Sequence, residues 1–209
     1  MGNNSIGGNN TAHGSFALYN FTTGNQNSAL GFNAGPVIGD LFNTTAIGYQ
    51  AIPTASNQVR IGNASVTSIG GQVSWSTFSD GRFKTDIKED VSGLDFINKL
   101  RPVSYVIDTE GLEKFLHISD SAGKYAAPKN KLSRQTGFVA QDVEAVVKKT
   151  GYVFNGVDAP ENENDHYSIR YAEFVVPLVK AVQELSAQVR EQQEKIFEQE
   201  QKIVSSQIS

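Results

Sequence analysis

The sequence predicts a mixed α and β chain in three parts: N-terminal β-solenoid or β-roll repeats, a small α+β domain, and a long C-terminal coiled-coil helix. Three observations carry this. A short phrase recurs in a nearly uncharged, Gly- and Asn-rich N-terminal region, element signals alternate in the middle, and apolar residues return every seven positions at the end.

Residues 1–70 contain Asp40 and Arg60 as their only charged side chains. Ala29-Leu30-Gly31-Phe32-Asn33-Ala34 returns as Ala46-Ile47-Gly48-Tyr49-Gln50-Ala51, with looser echoes at Asn4–Gly7, Ser15–Leu18 and Val59–Asn63. Such phrases, separated by Asn/Gly-Thr turns, predict stacked coils, because one repeat cannot bury its apolar row alone. A flexible Gly/Asn-rich linker is the other reading, but a linker does not require Phe and Tyr at fixed places in the phrase.

Residues 71–79 form a connecting seam, in which Gln72 to Phe78 alternates apolar and polar as a half-buried strand does. Residues 80–170 mix signals. Val91, Leu94, Ile97 and Leu100, with Phe96, predict a short helix stopping before Pro102. Pro102 to Ile107 reads as a strand, and the stretch 108–134 as loop-rich and mobile. Gly137-Phe138-Val139 leads into a helix with Val139, Val143, Val146 and Val147 on one face and Gly151 as its stop.

Residues 171–209 predict one long helix. Val175, Val182, Val189, Ile196 and Ile203 occupy one heptad position, and Leu178, Leu185, Gln192 and Gln199 the complementary one. An amphipathic helix packed on its own domain is the alternative, although sustained heptads usually report a seam between chains. Gln192 and Gln199 leave the helix number open.

Composition narrows the function. With 18 Lys and Arg against 22 Asp and Glu, the formal net charge is −4, which gives no basic footprint for nucleic acid. The absence of cysteine excludes a disulfide framework and a Cys-type zinc site. No apolar stretch approaches the roughly 20 residues that span a bilayer, and Met1-Gly2-Asn3-Asn4 lacks a signal-peptide layout. We expect no membrane insertion, no cofactor and no metal site. With 209 residues and 39% hydrophobic content, a large enzyme cleft is not expected either, and the chain reads as a piece of something longer.

Ser79-Asp80-Gly81-Arg82-Phe83-Lys84 marks the seam between the uncharged and charged regions. A serine hydroxyl becomes a nucleophile when a base takes its proton, and a lysine is a base only when neutral, which burial or cationic neighbours favour. Alone, a serine five positions before a lysine reads as a solvated turn. Context changes that. "SDGRFKTDI" resembles the Ser-Asp-x-Arg-x-Lys-x-x-Ile signature that opens the endosialidase-type intramolecular chaperone domain of phage tail spikes and fibres. "GLDFINKLRPVSY", "TGFVAQDVEAV" and "ENENDHYSIRYAEFVVPLVKAVQEL" follow in the family's order, over residues 76–190. The phrase "AIGYQA", followed by "NQVRIGNASVTSIGG", in turn resembles head repeats of trimeric surface adhesins and tail-fibre proteins.

These resemblances imply a homotrimer in which the domain assembles and folds the preceding β-segment, then cuts itself off between Ser79 and Asp80. Ser79 would be the nucleophile and Lys84 its base, a serine peptidase acting once per chain. Arg82 would orient the loop or keep Lys84 unprotonated. Gly81 stands where a bulkier residue is often found, which predicts a looser turn and slower cleavage. A serine attacking its own carbonyl would close a four-membered ring, so attack from a neighbouring subunit or by an activated water has equal weight. Gln141 and His117 are candidate supporting residues. Glu161, Glu163, Asp165 and His166 form an acidic cluster that reads as a solvated loop more readily than as a cation site. The implied setting is a virion tail fibre or a bacterial surface appendage, with a host receptor or glycan as partner of the parent fibre. A trimeric fibre tip with a permanent C-terminal foot is the alternative. A hydrolase acting on other proteins is disfavoured, because the Ser-Lys pair lies in the segment it would cut.

Overall fold

The computed structural model describes residues 6–37, 40–118 and 134–208. It divides into two compact units, one comprising Met1–Ser76, Ser104–Gln135 and Ala159–His166, the other Thr77–Val103, Thr136–Asp158 and Tyr167–Ser209.

In the first unit, strands β1 (Thr11–His13), β2 (Ser28–Leu30), β3 (Thr45–Ile47) and β4 (Val59–Ile61) form one parallel sheet in that order. Thr11 pairs with Ser28, Ser28 with Thr45 and Thr45 with Val59, so the chain returns after 17, 17 and 14 residues. In that register Ala12-His13 lies beside Ala29-Leu30, and the Ser15–Leu18 echo lies beside Phe32–Ala34, beyond the strand ends, with Asn33 N–H donating to the Ser15 carbonyl at 2.9 Å. Alanine columns build the narrow core, with Ala29 and Ala46 buried on the strands and Ala17, Ala34 and Ala51 buried beyond them. Gly31 closes its turn at φ +135°, and a Cβ there would lie 2.6 Å from the carbonyl oxygen of Gly48 in the next turn, so only glycine permits this approach. Fully buried Asn27 links three turns. It donates to the Asn10 side chain and the Leu41 carbonyl, while its Oδ1 accepts from Thr44 N–H and Thr44 Oγ1 at 2.9 and 2.6 Å. These bonds offset the cost of burying an amide in an uncharged stack.

The unit also contains α2 (Thr109–Phe115), which replaces part of the loop expected over 108–134 and is capped by Asp108 accepting from Gly111 N–H. The rest of that expectation, residues 119–133, lies outside the described residues.

The second unit is built on aromatic packing. Helix α1 (Leu94–Ile97) is a single turn, shorter than the expected 91–100, but it buries Phe96 completely. Phe96 packs with Val143 of α3 (Ala140–Thr150) and with Phe174, surrounded by Phe138, Tyr152 and Phe154. Gly151 ends α3 at φ 68°, the left-handed stop expected from sequence. Strands β5 (Val103–Tyr105) and β6 (Gln135–Gly137), each spanning a sequence boundary of the two units, pair, and within the second unit β7 (Val157–Asp158) runs antiparallel to β8 (Ser168–Ile169). A 3-10 turn at Tyr171–Phe174 leads into α4 (Val175–Ile208).

Helix α4 uses two different stripes. Phe174 just ahead of it, Pro177 and Ala181 are buried, and Glu184 Oε2 accepts the Leu94 N–H at 2.7 Å, satisfying an N-terminal donor of α1. The heptad residues Val175, Leu178, Val182, Leu185, Val189, Ile196 and Ile203 all remain exposed. Packing within the domain therefore does not account for the heptads.

Candidate active site

Asp80 starts a single 3-10 turn at Gly81–Phe83. Its carboxylate accepts the Arg82 N–H at 2.9 Å, its carbonyl accepts the Phe83 N–H at 3.1 Å, and the Gly81 carbonyl accepts the Lys84 N–H at 3.2 Å. The turn folds the chain back by five residues. It thereby sets Lys84 Nζ 2.7 Å from Ser79 Oγ.

The Arg82 guanidinium grips the same carboxylate in a fork, with Nε 3.0 Å and Nη2 2.6 Å from Asp80 Oδ2. Those side-chain bonds, with the Arg82 backbone N–H, hold the Asp80 carboxyl below the usual range. Arg82 also lies over the Phe83 ring at 5.7 Å, and Phe83 packs on Phe78 at 5.4 Å. The Arg82 charge is thus paired with Asp80. Gly81 faces open space, so a side chain would fit there.

Phe78 and Phe83, next to Ser79 and Lys84 in the chain, are exposed, as are Val73, Trp75 and Ile87 along the same stretch of sequence. The half-buried strand expected over 72–78 does not form, because the segment has no neighbour to pair with in a single chain. In this contact Lys84 Nζ donates and the Ser79 hydroxyl accepts. Base catalysis needs the reverse, a hydroxyl donating to a neutral amine.

Gln141 is exposed in the first turn of α3, whose N-terminus has no side-chain cap, so it does not cap that helix. His117 belongs to the other unit, exposed beyond the end of α2. The acidic cluster is resolved differently from the solvated loop expected. Asp165 is buried and accepts from Thr54 Oγ1 at 2.6 Å and from Glu161 N–H at 3.2 Å, while Glu161 and Glu163 stay exposed. Among the described residues no group of three or more His, Cys, Asp or Glu side chains could hold a metal ion. None of their helices is long and apolar enough to cross a membrane.

Sequence reasoning missed Asp165 and Glu184 as anchors. For Asp165 a local signal exists: Asn162, Asn164 and Asp165 are turn-forming side chains within four residues. For Glu184 nothing marks it apart from the other acidic residues of its helix.

No curated protein and no solved structure matches the chain. Residues 79–152 match a peptidase family model described as chaperone of endosialidase, and this match, which begins at Ser79, supports a chaperone role for the domain.

Proposed function

We propose that this chain is a self-releasing intramolecular chaperone: residues 80–209 trimerise and fold the β-segment 1–70, then hydrolyse the Ser79–Asp80 bond. The observation that carries the reading is the 2.7 Å contact between Lys84 Nζ and Ser79 Oγ at the start of the matched segment. Hydrolysis consumes one water and leaves a carboxylate on Ser79 and an amine on Asp80. Lys84 takes a proton from Ser79, which attacks across subunits or relays the proton from an attacking water. Arg82 and the 3-10 turn hold Asp80 so that the bond stays presented.

Two exposed apolar surfaces support assembly as the trigger. The heptad stripe of α4 is unused within its domain, and three helices sharing it would bury it. On the β stack, Leu30, Ile47 and Ile61 form an exposed column at the strand ends, with Phe32 stacked on Tyr49 at 5.8 Å beside it. Three stacks meeting on that column would make a trimeric solenoid. Such a fibre depends on non-local contacts and nucleates slowly, so linking the three chains first through α4 raises their local concentration and sets register. Assembly also covers the exposed Phe78 and Phe83 beside Ser79 and Lys84 and excludes water from the pair. Cleavage then severs the covalent tie to the clamp and leaves a kinetically stable fibre. The setting is a phage tail fibre or a surface appendage, with a receptor or glycan bound elsewhere on the parent fibre.

The test is the cleavage rate across a dilution series of freshly prepared chain. The reading predicts two fragments, 1–79 and 80–209, appearing faster at higher concentration. A single uncut chain at every concentration would overturn it.

A further inference from the structure

Thr54 precedes the Ser79–Asp80 bond and Asp165 follows it, yet their side chains meet in one buried contact. Thr54 Oγ1 donates to Asp165 Oδ1 at 2.6 Å, with Thr54 3% and Asp165 8% exposed. A second bond runs beside it, from Asn162 Nδ2 to the Thr54 carbonyl at 3.0 Å. Both sides are locally built for the contact. Gln58 Oε1 accepts the N–H groups of Thr54 and Ala55 at 3.0 and 3.2 Å, fixing the turn that presents Thr54. Opposite it, Asp165 N–H donates to the Asn162 carbonyl at 3.1 Å, Asn164 N–H to Asn162 Oδ1 at 2.9 Å, and Glu161 N–H to Asp165 Oδ2 at 3.2 Å. Residues 159–166 accordingly join residues 1–76 in one compact unit, although the seam separates them in sequence.

We propose that residues 161–165 are a latch on the Thr54–Gln58 turn that holds the C-terminal fragment on the β stack after the seam is cut, making cleavage and release separate steps. This role rests on the self-cleavage reading. Cutting at Ser79–Asp80 removes none of the latch bonds, and opening the latch breaks the charge-assisted bond from Thr54 to Asp165 and the bond from Asn162 to the Thr54 carbonyl. The turn it grips lies next to β4, the last strand of the stack, so the latch engages when that strand's turn has formed. The charged and titratable groups around Asp165 are His166, whose Nδ1 lies 3.7 Å from Asp165 Oδ1, and Arg60, whose charge acts on His166.

The experiment uses the full chain carrying Ser79→Ala, with a recognition sequence for a site-specific protease inserted between Ser76 and Thr77. After nicking by that protease, the two pieces are followed by gel filtration and their dissociation constant measured at neutral pH. The latch predicts that they co-elute, and that Asp165→Ala or the near-isosteric Thr54→Val raises the dissociation constant roughly ten- to a hundredfold. Circular dichroism before nicking checks that each variant is folded, and Thr54→Val serves if Asp165→Ala is not. Pieces that separate in the parent, or that bind equally tightly in folded variants, would overturn the latch. Because the nick is made by an added protease, failure of self-cleavage is read separately: an uncut Ser79 chain whose nicked pieces still depend on Asp165 would remove only the self-cleavage reading.

Discussion

Lys84 and Ser79, five residues apart, face each other across one 3-10 turn at 2.7 Å, and the same turn is locked by Asp80 accepting from both the backbone and the guanidinium of Arg82. On the proposed reading, the turn brings base and hydroxyl together before assembly, and what assembly would add is dryness, since Phe78 and Phe83 beside the pair are exposed in the single chain.

If that division of labour is right, the pair is dispensable for assembly. Ser79→Ala and Lys84→Arg, which keeps the charge but gives no usable base, should each remain trimeric by light scattering while losing cleavage. Loss of the trimer in either variant would mean that these residues are structural.

Gly81 faces open space inside the turn, so the slower cleavage expected from glycine has a simple remedy. Gly81→Ala should reduce the freedom of the open chain by about 0.4–1 kcal/mol and speed cleavage roughly two- to fivefold. A slower Gly81→Ala protein in single-turnover kinetics would contradict this.

The two stripes of α4 predict separable effects. Replacing Val182 and Val189 by Asp should abolish both trimer and cleavage while leaving the melting of the isolated domain nearly unchanged. Glu184→Ala removes the acceptor of the Leu94 N–H and should destabilise the domain by about 1–3 kcal/mol. Efficient cutting by a monomeric Val182→Asp, Val189→Asp chain would break the link between assembly and catalysis.

Acid should weaken the first unit in two stages. Burial lowers the His166 pKa, as does the charge of Arg60, against the opposing pull of Asp165, and Nδ1 has no hydrogen-bond partner among the described residues. The fold therefore prefers neutral His166, and its contribution is fully present above the unfolded value of about 6.5 and is lost as pH falls towards the folded one. Burial raises the Asp165 carboxyl, but bonds from Thr54, Glu161, His166 and Gln58 outweigh it and hold the group low. Its contribution is present above the ordinary carboxylate range and disappears at lower pH, as the folded value is crossed. Melting temperature should thus fall more steeply between about pH 7 and about pH 5 in the parent than in His166→Asn. Equal slopes would show that His166 titrates normally in the fold.

Much of this was legible from local pattern. The recurring Ala-x-Gly phrase located β2 and β3, Gly151 located the end of α3, and Val182 and Val189 lie on a stripe that the domain leaves open. What was not legible depends on distant partners. Gln72–Phe78 has strand periodicity but no neighbour to pair with. The helix expected over 91–100 is cut to one turn, where Phe96 is enclosed by Tyr152, Phe154 and Phe174 from two other segments. Asp165 looked like one solvated carboxylate among several because Thr54, which buries it, lies 111 residues away.

The central claim is tested most directly by the intact mass of the freshly purified chain beside that of Lys84→Ala. The account predicts a fragment beginning at Asp80 in the parent and a single full-length mass in the variant. One full-length mass in both, from protein that is trimeric by light scattering, would contradict it and leave the C-terminal domain as a permanent foot of the fibre.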